Sequence, residues 1–472
     1  MHDRRGLGPS RARWIAFALS TATVALAKAA APTPGAPMHP GTVLGSSMLP
    51  PTPDVDDPQL VAPPQAPRVL GSWEEALELV RAQSPDYLTT YDNVLRAEAQ
   101  ARIALAAILP TISAQGSFTH QLLTTRVSIA GTPINLPLQD VWAASGTAVW
   151  NIGNPRGIYG VGTAERNAEA ARMDLAEKRR TIAQGIVGAM LATLATERLA
   201  ELNRVGLRAS LARLALAQTR TRMGSGTELD VDRAQQDVAA SRAQVISGDE
   251  SLRQTRESLG LALGSRVAIA APGSLDLAEF ESAVAATCHF GDDVERRPDI
   301  LAAKERVVVA ERLVNDVWLQ FSPSIALASQ VAWGSQALFG PATTWNVQAL
   351  LNVPIWDGGA RYGFLRDARA AADQARQGLV ATRLNALVNV TQSVRAVSVT
   401  TASRDVTQQQ RDLAFRVDQR TREGYLHGLG TSLDLVTSAQ ALRQAEINLA
   451  LLQFQASQAR VVAILSSADC MY

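Results

Sequence analysis

Between Thr111 and Thr119 the chain alternates, with Ile112, Ala114, Gly116 and Phe118 set between Thr111, Ser113, Gln115, Ser117 and Thr119. A period of two predicts a strand with unlike faces. The pattern returns over 324–333, where Ile325, Leu327, Val331 and Trp333 alternate with Ser324, Ala326, Ala328 and Gln330. It returns again over 343–353, with Trp345, Val347, Ala349, Leu351 and Val353 against Thr344, Asn346, Gln348 and Asn352. A fourth strand is expected over about 141–151, reached through a loop with Gly131, Pro133 and Pro137. Elsewhere the spacing is helical. Ser72, ahead of Glu74 and Glu75, reads as the N-cap of an Ala-rich helix over 74–108 that Pro110 ends. A proline-free helix is expected over about 156–222, where Ile186, Ala200, Leu207 and Leu214 fall at multiples of seven, as do Leu175 and Ile182. That spacing predicts coiled-coil packing. Gly224-Ser225-Gly226 then turns the chain into a helix over 227–262. Helices over 298–320, 361–423 and 432–465 complete the series, the last two joined by a turn at Gly424–Gly430.

The order is a duplication. Ser84-Pro85-Asp86 is echoed by Arg297-Pro298-Asp299, and Leu109-Pro110-Thr111 by Ser322-Pro323-Ser324, both at an offset of 213 residues. Trp150 stands five positions before Pro155, as Trp356 stands five before Arg361. Gly226-Thr227-Glu228-Leu229-Asp230 returns as Gly430-Thr431-Ser432-Leu433-Asp434, 204 residues on. Each half therefore carries one helix–strand–strand–long helix–helix unit, a first repeat over 71–265 and a second over 297–466, with a connector at 266–296 and a tail at 467–472. At about 1.5 Å per residue the helix over 156–222 runs roughly 100 Å. Its two companions together match it, so stacking them end to end beside it gives a rod with strands at one end and Gly-rich turns at the other.

Six of the eight tryptophans, at 142, 150, 318, 333, 345 and 356, sit in or beside the strands. Alternating strands of about ten residues with aromatic ends mark an outer-membrane barrel, although a half-buried soluble sheet shares the alternation. Past the N-terminus nothing offers the roughly 20 apolar residues of a membrane helix. Four strands cannot close a barrel, and open edges cannot face lipid, so several chains must contribute. Physics alone does not choose two, three or more.

At the N-terminus, Arg4, Arg5, Arg11 and Arg13 precede an uncharged run to Ala27 and then Ala27-Lys28-Ala29. Residues 1–29 read as a secretory signal peptide. Its removal turns 45 basic and 44 acidic residues into 40 and 43, a nearly neutral body without the basic face of a nucleic-acid binder. Eleven of the 22 prolines lie between Pro32 and Pro67, so 30–70 is expected to be a disordered linker. The only lysines, Lys28, Lys178 and Lys304, form no P-loop, and His2, His39, His120, His289 and His427 have no metal-ligand spacing. Gly157-x-x-Gly160-x-Gly162 follows no buried parallel strand and is not a dinucleotide fingerprint. No nucleophile–base set, cofactor motif or metal site stands out. A periplasmic coiled-coil adaptor or a secreted enzyme would share the signal peptide; four amphipathic strands disfavour the first and the lack of catalytic residues the second.

The signal peptide, the duplicated order, the paired Pro-Asp and Trp landmarks and the Gly-Thr-x-Leu-Asp turns resemble the TolC-like outer-membrane factor family over about 72–466. The resemblance implies a mainly α fold with a membrane β-barrel portion: a homotrimer with a 12-stranded barrel continued by a 12-helix periplasmic coiled-coil tunnel. More narrowly, the chain looks like the outer-membrane components of type I exporters for the adenylate cyclase toxin (cyclolysin) of Bordetella. That implies export of a calmodulin-sensitive adenylate cyclase/haemolysin through a periplasmic membrane-fusion adaptor and an inner-membrane ABC transporter. The alternative is a multidrug efflux channel fed by a proton-driven pump. By resemblance, Trp142, Trp150, Trp333, Trp345 and Trp356 form an aromatic girdle at the lipid, and Asp230, Tyr425, Asp434 and Thr437 lie at a periplasmic gate. There the Tyr425 phenol is expected to donate to Asp230, and three Asp434 carboxylates to ring the mouth. Gly430 stands where a better-known family member has a gate Arg, and Thr437 where it has a second ring Asp. Asp230 and Asp434 equally suit plain helix caps. The resemblance also gathers the connector and tail into one belt, bringing Cys288 and Cys470 near each other, bonded or as two thiols.

Overall fold

The computed structural model describes residues 55–470 except 124–125, 130–131, 136–139, 273–276, 291–292 and 336–341. The expected signal peptide and the start of the Pro-rich segment lie outside these residues. The end of that segment is not the disordered linker its composition predicts. A 3-10 turn at Pro58–Leu60 and strand β1 (Arg68–Val69) give it a defined course. Its partners come from the helices: Arg242 donates to the buried Asp57 carboxylate at 2.7 Å, and Arg256 to the Pro64 carbonyl at 3.1 Å. Such a segment lacks a core of its own, but it can borrow one, and Leu70 is buried.

The first repeat opens with α1 (Trp73–Gln83) and α2 (Pro85–Ala106) in place of the single helix expected over 74–108. Ser84 is extended, at φ −69° and ψ 116°, because a following proline drives its predecessor out of the α region. Pro85 then opens α2, where its missing N–H costs nothing. Strand β2 (Thr111–His120) follows. Within the expected loop lies a small hairpin, β3 (Arg126–Ile129) and β4 (Thr132–Asn135), before β5 (Asp140–Gly153). Next come the 68-residue α3 (Pro155–Arg222) and α4 (Glu228–Ala262). The connector holds β6 (Ile269–Ala270), which pairs in parallel with β1, then α5 (Leu277–Thr287), β7 (Cys288–Phe290) and a 3-10 turn at Val294–Arg296. The second repeat contains α6 (Pro298–Leu319), β8 (Ser324–Gly334), β9 (Ala342–Asn352), the 67-residue α7 (Ala360–Leu426) and α8 (Ser432–Ser467). Strand β10 (Ala468–Cys470) pairs antiparallel with β7.

Strands β2, β5, β8 and β9 form one antiparallel sheet in that order. Below it, α2 and α4 follow each other along α3. Arg172 meets Glu98 of α2 at 2.7 Å, and further down Arg213 meets Asp237 of α4 at 2.6 Å. On α7, Arg376 meets Glu311 of α6 at 2.7 Å, while Asp418 accepts from Ser438 of α8 at 3.3 Å. The end-to-end stacking inferred from helix lengths is therefore present in both repeats.

The main core lies at mid-length of α3, where Ile186, Val187 and Met190 meet Leu70, Trp73, Leu259, Phe280 and Leu465. Trp73 and Phe280 contact edge to face, 5.8 Å between ring centroids. Towards the tip, heptad residue Leu207 packs with Val238 and Val245. Helix α7 differs: Leu384, Leu387, Val388, Val399, Val406, Leu413 and Val417 are exposed on a single chain. Apolar exposure of that extent marks a surface meant for a neighbour.

Candidate functional site

Both long helices end in the same turn at the tip away from the sheet. Gly224, at φ 73°, follows α3, and Gly428, at φ 75°, follows α7; only glycine takes this left-handed conformation without penalty. The amides of Gly224 and Ser225 donate back to the carbonyls of Thr221 and Arg220, at 3.0 and 2.9 Å. Gly428 and Leu429 do the same to Tyr425 and Gly424, at 3.2 and 2.8 Å. These are paired Schellman closures. The returning helices then open on paired capping boxes. The Thr227 hydroxyl accepts from the Asp230 amide at 3.3 Å while the Asp230 carboxylate accepts from the Thr227 amide at 3.0 Å. Thr431 and Asp434 repeat this at 3.2 and 3.1 Å. Each box satisfies amides that a helix N-terminus would otherwise leave unpaired.

Three contacts tie the first-repeat pair (α3, α4) to the second-repeat pair (α7, α8) at this tip, one of them from Arg233 of α4 to the Ser432 hydroxyl at 3.5 Å. Asp230 accepts a short hydrogen bond from the Ser432 hydroxyl. Arg220 Nη1 donates to the Tyr425 carbonyl at 2.7 Å, and its guanidinium lies 4.4 Å from the centre of the Tyr425 ring. Tyr425 is only 6% exposed. Burial pushes its phenol up from the ordinary value, opposed by the Arg220 charge, so the ring stays neutral. The Ser432 hydroxyl bond, outweighing desolvation and helped by Thr227, holds Asp230 below the usual carboxylate range. The expected phenol–carboxylate bond from Tyr425 to Asp230 is not formed. Arg220 takes the aromatic ring, and Ser432 and Thr227 take the carboxylate. Asp230 thus caps α4 with one oxygen and reaches α8 with the other.

Further from the tip lies a second polar layer. Asp237, with its side chain 1% exposed, accepts from Arg213 at 2.6 Å and from Gln440 of α8 at 3.1 Å. Arg443 of α8 donates to Ser241 at 2.8 Å and crosses α3 at Gly206, where a Cβ would lie 2.7 Å from its Cδ. Burial lowers the Arg443 pKa, against the pull of Asp237. Sequence reasoning missed Arg220, Ser432, Asp237 and Arg443. A charged residue on a long polar helix reads as solvated, and only helix rotation decides which of many faces a partner. The available signal was the shared 204-residue offset of Gly224 with Gly428, which places Arg220 and Tyr425 beside equivalent turns.

Asp434 and Thr437 are exposed, and their side chains bond within their own helix start. Thr431 takes one oxygen of Asp434 and holds its pKa below the ordinary value. The Thr437 hydroxyl turns back to the Leu433 carbonyl at 2.9 Å.

At the opposite end the sheet has strands of 10 to 14 residues, long enough for a tilted strand to cross a bilayer. Every residue of β2 and of β9 is exposed, and these are its two edges. Trp142 faces Phe118 across the β2–β5 ladder with ring centroids 4.7 Å apart; Trp333 pairs with Ala144, and Trp345 with Val331. Those three lie near the sheet's far end. Trp150, bonded to the Ile108 carbonyl at 3.1 Å, and Trp356, beyond β9, lie near the helix end. The expected girdle residues therefore fall at two levels, all of them exposed.

The family model described as "Outer membrane efflux protein" matches residues 76–265 and 292–464, the two repeats. The chain belongs to the outer membrane efflux protein family. It is 23% identical over 408 residues to the pyoverdine export outer membrane protein OpmQ of Pseudomonas putida, covering 82% of this chain and 84% of that protein. It is 22% identical over 384 residues to nodulation protein T of Rhizobium leguminosarum, covering 78% and 79%. Solved structures of CusC and of the Campylobacter jejuni outer-membrane channel CmeC align with TM-scores of 0.73 and 0.71 at 16% and 15% identity, covering 88% and 83% of this chain and 99% and 84% of theirs. The fold is that of the TolC-like channels, an α-helical tunnel with a β-barrel portion. Outer membrane efflux proteins are trimeric channels, not enzymes, that work with adaptors and inner-membrane transporters. This member is an outer-membrane factor of efflux or export, sited in the outer membrane with its tunnel in the periplasm. No helix among the described residues is long and apolar enough to cross a membrane.

Proposed function

We propose that three copies of this chain close one barrel and tunnel, and that this tunnel is the duct of a tripartite type I secretion system exporting a protein toxin. The carrying observation is the sheet with two bare edges. Its strands are membrane-length, and unpaired edge amides and carbonyls are not tolerated in lipid, so β2 of one copy must meet β9 of the next. The exposed apolar stripe of α7 supplies the matching surface below. The tip contacts make the gate: Asp230–Ser432 and Arg220–Tyr425 hold the second-repeat pair against the first, and three Asp434 carboxylates surround the mouth. Energy comes from the partners, a periplasmic adaptor and an inner-membrane ABC transporter.

The cargo rests on the narrower resemblance to the outer-membrane component of a Bordetella toxin exporter, within the family resemblance over about 72–466. A second reading, efflux of small organic molecules with a proton-driven pump, is favoured by relatives whose names specify pyoverdine and toluene. Deletion of the gene separates the two. Loss of one secreted protein, restored by complementation, supports protein export. An unchanged set of secreted proteins with sensitivity to solvents or antibiotics selects efflux. A soluble periplasmic monomer on fractionation would remove the duct itself.

A further inference from the structure

We infer that Cys288 and Cys470 form a disulfide that straps the start of the second repeat to its end. Strand β7 of the connector and strand β10 of the tail pair antiparallel, with Cα partners Ala468–Phe290, Asp469–His289 and Cys470–Cys288. Directly opposed residues of an antiparallel pair have Cα atoms about 4.5 or 5.5 Å apart, according to the rung type. Both spacings lie inside the roughly 4.4–6.8 Å window of a disulfide. A register shifted by one residue would lose this opposition, so what fixes the register matters.

It is fixed from both flanks. On the connector side Glu281 of α5 accepts from Arg460 at 2.7 and 2.8 Å and from Ser457 at 2.7 Å, anchoring α5 to α8 ahead of β7. On the tail side Arg297 donates to the Ser466 carbonyl at 2.6 Å, and the Ser466 and Ser393 hydroxyls meet at 2.9 Å. Arg180 adds a bond to the Leu465 carbonyl at 3.3 Å. Three side chains, Arg180 of α3, Arg297 at the start of α6 and Ser393 of α7, thus hold the chain immediately before β10. The periplasm, into which the tunnel extends, is an oxidising compartment.

Oxidation is a two-step exchange with the disulfide of an envelope dithiol oxidase. One cysteine thiolate attacks that disulfide, forms a mixed disulfide and releases one oxidase thiolate. The second cysteine thiolate then attacks the mixed disulfide, forming the Cys288–Cys470 bond and releasing the oxidase as a dithiol. Two protons and two electrons leave the chain, and the oxidase takes them up. The bond requires β10, the last strand, to have docked, so it closes only around a folded second repeat. It ties the sheet-ward end of α8 to the connector while leaving the distant tip turns free to move.

Alkylation of intact cells, followed by denaturation of the full-length chain and thiol counting by mass spectrometry, tests this. The expected result is no alkylated cysteine before reduction and two after it, with a single chain on a non-reducing gel. Cys470→Ser should leave Cys288 as one labelled thiol in a chain that still assembles in the outer membrane. Two alkylated cysteines in the unreduced wild type would overturn the inference. Disulfide-linked dimers would overturn it too, because the pairing lies within one chain.

Discussion

Replacing Arg220 by Ala perturbs the tip where the structure concentrates its cross-repeat contact. The substitution removes a charged donor from the Tyr425 carbonyl, a type of bond that contributes about 1.5–3 kcal/mol. It also removes a guanidinium from the Tyr425 ring, a contact that contributes about 0.5–2 kcal/mol. Arg220 is half-buried, so solvent screening reduces the sum to about 2 kcal/mol. At about 1.4 kcal/mol per factor of ten, that shifts the closed-to-open ratio of one protomer's latch roughly 30-fold. The Tyr425 carbonyl keeps its bond from the Gly428 amide at 3.2 Å, so the turn itself survives. Single-channel recording in planar bilayers should show higher conductance and longer openings for Arg220→Ala. Arg220→Lys should lie between, keeping the charge without the planar fork. Wild-type conductance in Arg220→Ala would show that this contact does not hold the tip closed.

Tyr425→Phe should leave conductance at the wild-type value, since ring and carbonyl remain and the phenol makes no bond to Asp230; a rise equal to that of Arg220→Ala would contradict the geometry. Asp230 and Asp434 have pKa values depressed by folding, so their contributions are complete above about pH 4, the unfolded carboxylate value, and fade as pH falls through the lower folded values. Tip closure should therefore stay constant from roughly pH 5 to 8 and weaken only in stronger acid; opening near neutrality would point to another group. Asp434→Asn should reduce cation preference in a salt-gradient reversal potential, and an unchanged potential would place Asp434 off the pore. Arg297→Met leaves the Ser466 carbonyl without its buried donor, so the assembled protein should lose about 2 kcal/mol and dissociate at lower temperature in detergent.

Strand and helix positions were legible in the sequence because each depends on a local period. The two-residue alternation from Thr111 and the seven-residue spacing through Ile186 and Leu207 give elements within a few residues of those found. The tip turns were equally legible, since glycine at positive φ and a Thr–Asp capping box are short-range chemistry that the duplication displays twice. Local rules also carried the break at Ser84-Pro85, which the helical composition around it concealed. The Pro-rich segment went the other way: its composition predicts disorder, and Arg242 and Arg256 on α4 supply the partners that order it. Which side chains meet across the tip was decided only in three dimensions. Helices about 100 Å long place many arginines and carboxylates within reach of one another, and small differences in rotation select among them. Arg220 rather than Asp230 therefore met Tyr425, Ser432 took the Asp230 carboxylate, and β7 met β10 with Cys288 opposite Cys470.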